Sequence, residues 1–247
     1  MSSSYLGPAA AVRRAGAAVS GAVLILAAVA GASARPAVAA AWPVSDCTAS
    51  AGVIVAVDFA PWGGPVLRAC GTTPTTGFAL LNQGGWDTAG TEHDGPGFVC
   101  RIGYSGYRRG TQYPTPAQQA CVQTPPASAY WAFWQAAPGQ DSWTYSQQGA
   151  QSYHPAPGSV SLWVFGGTNL AGTAGSAVPA ISPDSLRALT TGAAAGDPPI
   201  VNAPPVAASV SVSHGSAAPT LIAVAVVLLL LAGGAGAAVR RRRLERS

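Results

Sequence analysis

Residues 129–135 read Ala129-Tyr130-Trp131-Ala132-Phe133-Trp134-Gln135, with four aromatic rings, no charge and neither glycine nor proline. Aromatic residues fit the pleated surface of a sheet, so this stretch is predicted to be a strand. Successive side chains of a strand point to opposite faces. Tyr130, Ala132 and Trp134 should therefore share one side, with Trp131 and Phe133 on the other. At least one of those faces has to be buried, and a domain must exist around it.

The neighbouring segments supply that domain. Trp143-Thr144-Tyr145 is expected to return across Pro138-Gly139 as a hairpin, and Ser159–Phe165 reads as the last strand. Upstream, the β-branched run Gly52–Phe59 reads as a buried strand that Pro61-Trp62-Gly63-Gly64-Pro65 breaks. Residues 75–83 are expected to form a short helix carrying Phe78, Leu80 and Leu81, ended by Gly84-Gly85. Gly97–Gly103 is a further strand. The segment from Gly103 to Gln119 reads as a loop with Tyr104, Tyr107, Tyr113 and the pair Arg108-Arg109. Charge is too sparse for strongly amphipathic helices. The expected fold class is a small, β-rich α+β domain over residues 41–165.

All the aromatic residues but Tyr5 lie between Trp42 and Phe165, and so do all four cysteines: Cys47, Cys70, Cys100 and Cys121. An even number of cysteines in an exported segment points to two disulfides. Three pairings are open. The expected one joins Cys47 to Cys70 and Cys100 to Cys121, because each pair brackets a local unit. A zinc site is the weaker reading, since no pair has C-x-x-C spacing.

The rest of the chain describes export and anchoring. Arg13-Arg14, an uncharged run from Ala15 to Ala34 and the small residues of Ala37–Ala41 have the order of a secretory signal peptide. It is expected to occupy residues 1–40, with cleavage near Ala39. Residues 219–239 are apolar and uncharged, long enough for one transmembrane helix. Arg240–Arg243 follow at once, which places the tail, residues 240–247, in the cytoplasm. The stretch 166–218 is rich in Ala, Gly, Ser, Pro, Thr and Val and has no aromatic residue. It is expected to be a disordered stalk, because it offers too little apolar area to offset chain entropy. Within it, a short helix is expected over residues 182–189, with Ser182 as cap and Pro183 at the first helical position.

The localisation expected is therefore a single-pass cell-membrane protein with its domain outside. All 13 basic residues are arginines, and eight of them sit at the two ends. Between the ends, five arginines stand against eight acids, so the exported part carries net charge −3 although the chain is +4. The basic pI reports topology. It does not indicate a nucleic-acid partner, which would need a positive face.

Several motifs carry a resemblance: Val55–Phe59, Gly84–Thr88, Gly95–Ile102, Cys121–Trp134, Ser142–Gly149 and Pro155–Val160. In this order they resemble exported, membrane-anchored proteins of high-GC Gram-positive bacteria. These in turn resemble the C-terminal domain of transcobalamin and intrinsic factor. The resemblance covers residues 47–165. It implies a ligand-capping or binding module without the helical partner domain, and as partners a corrinoid and a membrane transporter beside the lipid bilayer.

No nucleophile elbow, zinc-protease helix or phosphate-binding glycine loop occurs, so the chain is not expected to be an enzyme and no cofactor is expected. Flat aromatic faces suit planar, partly apolar ligands. The candidate ligand residues are Trp62, Trp86 and Trp143 at turns, with Tyr145 beside the last and Trp131 on the strand. Thr91-Glu92-His93-Asp94-Gly95 reads as a solvated turn rather than a metal site. His154 reads as a loop residue. Asp58 reads as an acceptor for turn amides. The leading expectation is a membrane-anchored extracytoplasmic binding module, accessory to uptake of a corrinoid or other nutrient. The other is a cell-envelope structural or protein-interaction module with no small ligand.

Overall fold

Val53–Asp58 forms strand β1, and every residue of it is buried. Its uninterrupted apolar run is explained by two covered faces, as in the computed structural model, which describes residues 42–188 and 198–213 together with Leu244. The expected signal peptide (1–40), transmembrane helix (219–239) and arginine tail (240–247, but for Leu244) lie outside the described residues. Among the described residues, no helix is long and apolar enough to cross a membrane.

The remaining elements are β2 (Val66–Gly71), α1 (Gly77–Gln83), β3 (Trp86–Thr91), β4 (Gly95–Tyr104), β5 (Tyr130–Ala136), β6 (Thr144–Tyr145), β7 (Val160–Gly166), α2 (Pro183–Arg187), β8 (Ile200–Asn202) and β9 (Val210–Val212). They build two sheets, one with strand order β6-β5-β7-β1-β2-β8 and one with order β4-β3-β9. In the larger sheet β1 pairs antiparallel with β2 and parallel with β7. The β5 strand lies antiparallel between β7 and β6. The domain is thus β-rich with a short helix, as the sequence predicts; the helix expected over 75–83 is α1, Gly77–Gln83, with Thr76 as its N-cap.

Alternation along the central strands divides the core in two. Val53, Val55, Val57, Trp131, Phe133 and Trp163 pack against Leu80 and Leu81 of α1 and against the smaller sheet through Trp86, Val99, Ile102 and Tyr104. On the opposite face Ile54, Ala56, Val66, Ala132, Trp134, Leu162 and Val164 meet Ala177, Ile181, Leu186 and Ile200. The expected split of β5 into two faces is therefore present, and both faces are buried.

The second of these layers corrects the expectation of a disordered stalk for residues 166–188 and 198–213; residues 189–197 and 214–218 of that stretch lie outside the described residues. Residues 167–188 fold back over the sheet. The Trp134 indole donates to the Ala177 carbonyl at 2.8 Å, and that of Trp143 to Ile181 at 2.6 Å. Ser182 caps α2 by accepting from the Ser185 amide, with Pro183 at its start. Gly172, at φ +69°, lets the backbone lie against Tyr145 and Trp134, where a Cβ would overlap the Tyr145 side chain. Further on, β8 pairs parallel with β2, and β9 pairs parallel with β3. The chain between them ties the two sheets together: Ala203 enters the core, and the Tyr104 hydroxyl donates to the Pro204 carbonyl at 2.5 Å. Burial pushes that phenol up to about 12. The physical reason for the difference is that a few well-placed aliphatic residues cover an aromatic sheet whose own hydrophobicity supplies most of the driving force.

Two disulfides, Cys47–Cys70 and Cys100–Cys121, join the expected pairs. The first pins the segment before β1 to the end of β2. Gly52, at φ +69°, makes room for it, since a Cβ there would stand 2.8 and 2.9 Å from the two sulfurs. The second anchors the loop after Tyr113 to β4. Each closes a loop of just over twenty residues, so replacing either pair by serine is expected to lower stability by about 3 kcal/mol. Urea melts of the two double-serine variants check this, and unchanged midpoints would contradict it.

Candidate functional site

The smaller sheet does not cover the aromatic face of β5 completely. Between Gly97-Phe98-Val99 of β4 and the β5–β6 hairpin lies a cleft of about 170 Å³. It is lined by Phe98 and Val99 of β4, by Trp131, Phe133 and Trp163 from the face of the larger sheet that meets the smaller one, and by Tyr130 and Tyr145, which pack on the other face, together with Ser146, Gln148 and Gly149. Phe133 and Trp163 stack with centroids 4.8 Å apart. Tyr130 and Tyr145 share a hydrogen bond of 2.8 Å between their hydroxyls. Burial, followed by that bond, pushes the Tyr130 phenol upward. No acid or base lines the cleft, so its chemistry is that of neutral rings and hydroxyls.

One polar atom stands out. The indole nitrogen of Trp163 is buried and has no hydrogen-bond partner among the described residues. A buried donor left unmade costs roughly 1–3 kcal/mol, which an acceptor that reached it would recover. A second depression, of about 290 Å³, shares Phe98, Tyr130 and Tyr145 with the first and continues to Pro125, Ala127 and Leu170. Leu170 is 88 % exposed.

The aromatic residues singled out from sequence fall in four places. Tyr145 and Trp131 line the cleft, although Trp131 is otherwise core and donates to the Tyr113 carbonyl at 3.0 Å. Trp86 is not a turn residue open to a ligand: it opens β3 and is 0 % exposed. Trp143 is half-buried and is held by Ile181 on the opposite face of the sheet. Trp62 lies in the turn after β1, half-buried, with Tyr113, Trp131 and Phe165 within 5.6 Å of its ring. It belongs to a separate groove. The structure therefore does not bring the five aromatics into one site.

Phe98, Tyr130, Phe133 and Trp163 were missed as site residues. Alternation along β5 already puts Phe133 beside Trp131. The position of Phe98 opposite them depends on how the two sheets meet, which no local pattern carries.

The polar candidates are accounted for by local structure. Asp94 accepts from Thr91 at 2.9 Å, from Thr124 at 2.7 Å and contacts His93 at 2.8 Å, and the Thr124 bond contributes most to holding its carboxyl below the ordinary value. Asp58 accepts from the Ala60 amide at 2.7 Å, closing the turn after β1; burial pushes its carboxyl up and the amide bond pulls it partly back. His154 is exposed, with Nδ1 3.1 Å from the Thr75 carbonyl. Among the described residues, no three His, Cys, Asp or Glu side chains gather as metal ligands.

Compared with known proteins, the chain matches no protein-family model, no curated protein and no solved structure.

Proposed function

We propose that the chain is a membrane-anchored extracytoplasmic binding module whose cleft takes a planar, partly apolar small molecule bearing a hydrogen-bond acceptor. The observation that carries this reading is the buried, unpartnered indole N–H of Trp163, a residue that lines a neutral cleft together with other aromatic and apolar side chains. The apolar run of residues 219–239 and the arginines after it support the anchoring.

Size narrows the ligand. Sites for drug-sized molecules measure roughly 300–1,000 Å³, and this cleft is smaller at about 170 Å³. It suits one or two fused rings. A corrinoid would enter it only through a peripheral group, lying otherwise across the surface, and a role beside a nutrient transporter rests on the resemblance alone.

The test is a titration of the full-length chain in detergent with cobalamin, cobinamide and benzimidazole, the last a ring-sized planar molecule with an acceptor nitrogen. Tryptophan fluorescence should change saturably with at least one of them. Trp163→Phe keeps a ring and removes the donor, and it should weaken binding about tenfold, the equivalent of one hydrogen bond. Three flat titrations at high micromolar ligand would sink the small-molecule reading. They would leave the interaction-module reading, which the exposed Leu170 beside an apolar depression favours.

A further inference from the structure

The groove beside Trp62 differs in chemistry from the cleft and shares no lining residue with it. It measures about 290 Å³ and lies between Trp62 and Phe165 on one side and Pro114, Pro126, Gln118 and Gln119 on the other. Trp62 and Phe165 are 4.9 Å apart by ring centroid, backed by Trp131. They form a fixed aromatic floor. The Cys100–Cys121 disulfide holds the loop that makes the opposite wall.

Each side-chain acceptor of this groove already takes at least one hydrogen bond from the protein itself. Gln118 Oε1 accepts from the Thr115 amide at 2.9 Å and from the Thr115 hydroxyl at 3.0 Å. Gln119 Oε1 accepts from the Cys121 amide at 3.0 Å. The side-chain donors are not occupied: Gln118 Nε2, Gln119 Nε2 and Trp62 Nε1 have no acceptor among the described residues. No charged side chain lines the groove.

An aromatic floor with free side-chain donors and side-chain acceptors already engaged by the protein favours a ligand that brings acceptors. A sugar brings hydroxyls that donate as well as accept. An ordinary extended peptide brings an N–H at every residue. A proline-rich segment brings carbonyl acceptors, no amide hydrogen and rings that pack on indole and phenyl faces, and its polyproline II conformation is already formed before binding. We infer that the Trp62 groove is a docking site for a proline-rich, polyproline II segment of a partner protein.

Calorimetric titration of the full-length chain with decaproline tests this, with a Gly/Ser decapeptide as control. Decaproline should bind saturably and at least about tenfold more tightly than the control. Gln118→Glu and Gln119→Glu keep the oxygen that accepts from Thr115 or Cys121 and replace the free donor by an acceptor. Each should weaken decaproline binding about fivefold or more while the thermal midpoint stays that of the unaltered chain. Equal binding of the two peptides, or none, overturns the inference. So does decaproline binding that neither glutamate variant changes, since the peptide would then sit elsewhere. Because the two sites share no lining residue, failure here leaves the benzimidazole titration of the cleft standing on its own.

Discussion

A chain that stops at Phe165 is expected not to fold, although every aromatic residue and both disulfides would remain in it. The loss lies on the second face of the larger sheet. Without residues 166–213, Ile54, Ala56, Val66, Ala132, Trp134, Leu162 and Val164 would face water in place of Ala177, Ile181, Leu186 and Ile200. Ile181, Leu186 and Ile200 alone contribute roughly 1.5–3 kcal/mol each through burial. That sum is comparable with the lower part of the 5–15 kcal/mol that typically separates a folded domain from its unfolded state. The truncation also removes the carbonyls that receive the indoles of Trp134 and Trp143, and both edge strands β8 and β9. Circular dichroism should show residues 42–165 without a cooperative melt and with strong binding of a hydrophobic dye. Residues 42–213 should melt in one step. A cooperative melt of the shorter chain at the midpoint of the longer one would show that the covering segment is an accessory.

Local sequence pattern encodes the strands at the centre of this fold but not the segment that covers them. β1, β5 and β7 were legible because dense β-branched and aromatic runs announce buried strands without reference to anything distant. The disulfides were legible because each joins nearby parts of the chain. β2 was hidden by Arg68 in its middle, and β3 by Asp87 and Gly90. Residues 167–213 were hidden more thoroughly. Their buried residues, Ala177, Ile181, Leu186, Ile200 and Ala203, follow no helical or strand period, and β8 and β9 have three residues each. Hydrogen bonds join this segment to partners 38, 43 and 118 residues away in the chain, so only the assembled sheet gives these residues something to cover. The cleft was half legible for the same reason: the alternation of β5 supplies Trp131 and Phe133, but Phe98 arrives from the other sheet.

Arg68→Ala should be the most damaging single substitution of a polar residue, costing roughly 3–5 kcal/mol. Arg68 is 0 % exposed in the middle of β2 and forms no ion pair among the described residues. Its charge is met by neutral oxygens at Nε and Nη1, while Nη2 is buried with no hydrogen-bond partner among the described residues. Nε donates to Asn202 Oδ1 at 2.7 Å, and Nη1 donates to the carbonyls of Leu186 at 2.7 Å and Ala188 at 2.5 Å. The guanidinium thus binds the C-terminal carbonyls of α2 and the edge strand β8 at once, a fork that lysine cannot reproduce. Burial lowers its pKa, as expected for a cation held by dipoles alone.

Alanine removes these bonds, leaves two carbonyls and an amide oxygen to be satisfied otherwise, and opens a cavity. Methionine separates the two contributions by filling much of the volume without the bonds. If the fork matters most, Arg68→Met should lose nearly as much as Arg68→Ala in urea melts, and α2 and β8 should become the first part of the domain to exchange amide hydrogens. If Arg68→Met matches the unaltered chain, the desolvation cost of the guanidinium cancels what its bonds contribute, as happens at some buried charges. In that case apolar packing alone would hold the segment on the sheet.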